Sequence, residues 1–70
     1  MSNEKAKLFG KNVKKFRKAK GLTQLRLAVF AGLSEDHISQ IERGIATPSF
    51  KSIELIAEVL NVPMKDLFEF

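Results

Sequence analysis

No cysteine occurs in the 70 residues, so neither a disulfide framework nor a thiolate metal site is possible. A disulfide-free chain fits the cytoplasm, which is the expected location. His37 is the only histidine and has no companion ligands, so no metal is expected. No apolar run reaches the length of a membrane span, and the opening MSNEKAKLFG lacks the apolar centre of a secretion signal. Neither membrane insertion nor export is expected. Internal repeats, low-complexity segments, linkers and strand-like alternation are also missing. There is no nucleophile–base constellation, no glycine-rich phosphate loop and no ligand cluster, and so short a chain has little room for a pocket. No enzymatic activity and no cofactor are expected.

What is present is charge, and its position says more than its total of +4. Residues 1–20 hold eight cations, Lys5, Lys7, Lys11, Lys14, Lys15, Arg17, Lys18 and Lys20, against Glu4 alone, a local +7. Residues 21–70 hold four basic and seven acidic side chains, a local −3. A cationic first element is an electrostatic footprint for phosphates, although a charge run also suits a plain solvated helix face. The length allows one domain, 1–70, with a small core that is marginal alone, so association that buries more apolar surface is expected.

The apolar spacing predicts an all-α class with five short helices. From Leu8 to Lys20, the residues Phe9, Val13, Phe16 and Lys20 share a stripe, with Lys7, Lys11, Lys14 and Lys18 opposite. Gly21 ends this helix, and Thr23 caps the next, Gln24 to about Ala31, which buries Leu27, Ala28 and Ala31. Gly32 breaks it, Ser34 caps a third helix to about Arg43, and Gly44 closes that one. Pro48 disfavours helix at Thr47, so residues 45–49 form a loop before Ser49 caps a fourth helix through Leu60. Its core side is Phe50, Ile53, Ile56, Ala57 and Leu60. Pro63 opens a last short turn, Met64 to Phe68. Residues 24–43 thus form a helix-turn-helix unit, in which a side chain at Gly32 is expected to hinder the close crossing of the helices.

The stretch GLTQLRLAVFAGLSEDHISQIERGIATPS resembles the Cro/phage-repressor type of helix-turn-helix regulator, also called the xenobiotic-response-element family. The pattern Leu-Thr-Gln, a Leu-Ala pair, Gly, an apolar residue, Ser, then Ile-Ser-x-Ile-Glu-Arg-Gly and Pro is nearly unbroken, and the resemblance spans residues 9–68. The segment KSIELI resembles, within that family, the small controller proteins of restriction–modification operons. The resemblance implies a lambda-repressor-like fold and a sequence-specific transcription factor. It implies a homodimer on partly palindromic double-stranded DNA, commonly a repressor. Helix 2 departs from the pattern. Leu25, Val29 and Phe30 stand where the family often has polar residues, and Arg26 replaces the usual capping-box acid.

By the same resemblance the outward N-terminal side of the third helix enters the major groove, making Glu35, Asp36, Ser39 and Gln40 the base-reading candidates. Carboxylates can accept from the cytosine amino group and Gln can pair with adenine, while both acids also favour a helix N-terminus. Their repulsion from phosphate needs cations elsewhere, and Lys14, Lys18 and Arg43 are candidates, with Thr23, Gln24 and His37 as further phosphate contacts. Arg17 and Glu42 are implied to form an ion pair between the first helix and the end of the third, with a structural role. On the fourth helix Leu55 and Val59 lie away from the core side and, with Leu67 and Phe68, are the expected dimer interface in the segment 50–68. A second reading, a protein-interaction module such as an antitoxin or antirepressor adaptor, accounts equally for the acids and for the apolar second helix.

Overall fold

The computed structural model describes residues 3–70, and among these it contains helices and no strand. Helix α1 runs Asn3–Ala19, starting earlier than the apolar stripe suggests. The residues before that stripe are good helix formers, and Glu4 in the first turn with Arg17 and Lys18 in the last complement the helix dipole. Helix α2 is Gln24–Ala31, α3 is Glu35–Glu42 and α4 is Phe50–Leu60. Each of these three begins on a hydroxyl cap. Thr23 accepts from the Arg26 N–H, Ser34 from the His37 N–H and Ser49 from the Ser52 N–H. The fifth element, Met64–Phe68, is a 3-10 helix, so the described residues hold four α-helices and one tighter closing turn.

Ten buried apolar residues form one core, drawn from all five elements and including Phe9, Val13, Leu27, Ile38, Ile56 and Leu67. Helix α1 packs against α3 and the 3-10 helix, whereas α2 packs against α3 and α4. The C-terminal segment is held on α1 by Asn12, whose Nδ2 donates to Leu67 O at 3.0 Å and Glu69 O at 3.1 Å. Beside it the rings of Phe9 and Phe68 lie 4.9 Å apart between centroids.

Three expectations are corrected here. Gly32 has φ +72°, but a Cβ there would meet nothing within 4 Å, so the turn needs a left-handed backbone rather than empty space. The close approach is elsewhere. A Cβ on Gly10 would overlap the Ile41 carbonyl oxygen and fall 2.6 Å from that of Glu42, and one on Gly44 would fall 2.7 Å from Lys7 Cα. Second, Phe50 is 68% exposed, because it starts α4 beyond the edge of the core that Ile56 and Leu60 enter. Third, Leu67 is fully buried and cannot supply a dimer surface, since the 3-10 helix turns it inward while Phe68 stays on the outside. Leu55 and Val59 are only half-buried, and Val59 packs against the rim of the core.

Candidate nucleic-acid interface

Helix α3 buries Ile38, Ile41 and Glu42 and leaves Glu35, Asp36, Gln40 and Arg43 exposed, with His37 and Ser39 half-buried. The helix therefore presents a continuous polar face, opened by two carboxylates and closed by a guanidinium. Its orientation is set by a buried network. Arg17 Nε donates to Glu42 Oε2 at 2.6 Å and Nη2 donates to Oε1 at 3.0 Å, a two-point charge-assisted contact. The remaining arm, Nη1, donates to Leu22 O at 2.8 Å, tying the α1–α2 turn to the same guanidinium. Gln24 Nε2 donates to Glu42 Oε1 at 3.0 Å. One carboxylate at the end of α3 thus holds the last turn of α1 and the first residue of α2 together.

That bond changes the part assigned to Gln24. One hydrogen of its amide is committed to Glu42, which fixes the side chain at the mouth of α2. The Thr23 hydroxyl takes the Arg26 N–H, while the Gln24 and Leu25 N–H groups have no intrahelical acceptor. They point out of a helix end that carries the positive pole of its dipole, an arrangement that suits a phosphate. Lys14 and Lys18 are exposed. At 100° per residue they fall with Lys7 on the flank of α1 next to Gly10 and Arg17, the residues that face α3. Lys7 also lies against Gly44, at the turn that follows Arg43. The cations therefore border α3 and the acids occupy its start.

Sequence reasoning missed Gly10 and Asn12, and it read Gly44 as a helix stop without its close approach to Lys7. These contacts join distant backbone, Asn12 reaching carbonyls 55 and 57 residues away, so none of them has a local signature. Among the described residues no group of three His, Asp or Glu side chains could hold a metal ion, and no helix is long and apolar enough to cross a membrane. A groove of about 320 Å³ is lined by Lys5, Ala6, Phe9, Thr47, Pro48, Ile53, Phe68 and Phe70, none of them in α3.

The profile of the helix-turn-helix family matches residues 13–67. The chain belongs to the helix-turn-helix family. Among its relatives is the control protein C.BamHI of Bacillus amyloliquefaciens, 39% identical over 71 residues that cover all of this chain and 88% of that one. The crystal structure of the restriction-modification controller protein C.AhdI from Aeromonas hydrophila superposes with a TM-score of 0.88 at 33% identity, covering 90% of this chain and 96% of that chain. The biofilm master regulator SinR, solved in complex with DNA, superposes at 0.83 with 34% identity and coverages of 87% and 98%. Two other curated relatives are longer, and the chain spans 38% and 41% of them. Over the matched residues the fold is therefore that of helix-turn-helix regulators.

Proposed function

We infer that this helix-turn-helix protein is a sequence-specific regulator that binds double-stranded DNA as a homodimer and reads the major groove with α3. The observation that carries the reading is the fixed α3. Its polar face is exposed and its last turn is locked by Arg17 and Gln24, so it can be presented to a groove without reorganisation. In this reading Glu35, Asp36, Ser39 and Gln40 contact base edges. Lys14, Lys18, Thr23, Gln24, His37 and Arg43 contact phosphates, which divides selection from affinity. The DNA complex of SinR supports the partner, and the likeness to C.BamHI and C.AhdI supports the regulatory role.

The dimer reading rests on apolar surface. Phe68 and Phe70 are exposed and line the groove, and Phe50 is exposed at the start of α4. The same groove touches Thr47 and Pro48 in the loop that leaves α3, which makes this face the candidate two-fold contact. Selection of binding sites from random DNA tests the whole proposal. Inverted repeats with half-site centres about 34 Å apart, or a multiple of it, are expected. Enrichment of single asymmetric sites would overturn the dimer, and no enrichment would overturn the regulator.

A further inference from the structure

Helix α2 is apolar on nearly all sides. Of its eight residues, Leu27, Ala28 and Ala31 are buried, yet Leu25, Val29 and Phe30 are 52%, 64% and 59% exposed. With Arg26 these three make up the whole outer face of the helix, at the spacing i, i+1, i+4 and i+5. Stability of the single chain does not call for such a face, and a helix apolar all round is ordinarily covered. The dimer face cannot cover it. Helix α2 packs on α3 and α4, while the groove is enclosed by α1, the loop after α3, the start of α4 and the C-terminal aromatics.

The charge around the face narrows what covers it. Arg26 is the one charged residue of α2, Lys20 precedes the helix by four positions, and the acids Glu35 and Asp36 come only beyond its C-terminal end. A second copy packed on α2 about a two-fold would set Arg26 against Arg26. Used together with the groove face, it would also build an assembly larger than a dimer. We propose that the outer face of α2 is a docking site for a different protein, one that lays an amphipathic helix along Leu25, Val29 and Phe30 with its carboxylates toward Arg26. Large apolar side chains at helical spacing meet the three exposed ones, and the carboxylate fixes direction and excludes cationic competitors.

The probe is a pair of short synthetic amphipathic helices with the same Leu and Phe positions, flanked by Glu in one and by Lys in the other. Titrated into the full chain and followed by backbone amide NMR, the Glu peptide is expected to shift Leu25–Phe30, and the Lys peptide to leave them in place. Val29→Ser with Phe30→Ser should weaken the Glu peptide at least about tenfold, the equivalent of 1.4 kcal/mol. These side chains are exposed, so the variant keeps its fold, which a melting curve verifies. Arg26→Glu should reverse the preference between the peptides. Equal binding of both peptides, shifts confined to the Phe50–Phe70 groove, or no binding would each overturn the proposal. A drop in sedimentation mass for Val29→Ser with Phe30→Ser would overturn it in favour of a second copy. DNA affinity of the same variant is measured alongside and is expected to be unchanged, so loss of the docking site and loss of the DNA reading remain separate results.

Discussion

Glu42 accepts three hydrogen bonds from two other helices, so its removal is not a local event. Glu42→Ala strands a buried guanidinium and is expected to cost about 3–5 kcal/mol in denaturant unfolding. Arg17→Met combined with Glu42→Leu should recover most of that, because an apolar pair avoids the desolvation of two charges. At the exposed face the substitutions act on DNA instead. Gln40→Ala is expected to cost about 1–3 kcal/mol at one base pair and to relax preference there. Lys14→Ala should weaken all sequences alike and flatten the salt dependence. Glu35→Gln with Asp36→Asn removes two negative charges near phosphate, so affinity for random DNA should rise while the specific-to-random ratio falls. A ratio that held level beside a stability lowered by about 0.3–1 kcal/mol per residue would reduce both acids to supports of the helix N-terminus.

The elements were largely legible in the sequence where their signals are local. Thr23, Ser34 and Ser49 mark the starts of α2, α3 and α4 because a hydroxyl cap acts on an N–H three residues on. What was not legible depends on distance. The need for a small residue at Gly10 comes from carbonyls of α3, and the exposure of Phe50 comes from where the core ends, which periodicity alone does not state. The outward face of α3 could be read from its wheel, but the bond from Gln24 to Glu42 could not, since it joins two helices. The contrast between glycines gives a test. Gly32→Ala should cost about 1–2 kcal/mol, the penalty of a left-handed alanine. Gly10→Ala forces α1 from α3, and no rotamer relieves a Cβ set against backbone, so a loss at or beyond the upper end of the usual 1–3 kcal/mol for overpacking is expected. Chemical denaturation of both variants compares them directly.

For the whole molecule the question is which flank of α4 would meet a second copy in the proposed dimer. Phe50 and Phe70 stand exposed beside the groove, whereas Leu55 and Val59 lie on the other flank and are half-buried. Phe50→Asp with Phe70→Asp should give monomers in sedimentation at concentrations where the parent is a dimer, since like charges would face each other across the two-fold. Leu55→Asp with Val59→Asp should keep the dimer and lower stability, because Val59 packs against the core. The opposite outcome would move the interface to the Leu55 flank.

The clasp made by Asn12 has a consequence in time. Helix α1 leaves its neighbour α2 largely aside and finds its partners in α3 and in the segment near Leu67, so α1 is completed by an element made well after it. While α2, α3 and α4 can assemble from contacts between neighbours, the Asn12 bonds close separations of 55 and 57 residues, and chain entropy opposes that step most. A chain still being synthesised therefore carries a cationic amphipathic α1 whose apolar stripe has no complete cover until residues 67–69 have emerged. Asn12→Ala, which weakens that closure, is expected to let amide protons of α1 exchange faster than those of α2 and α3.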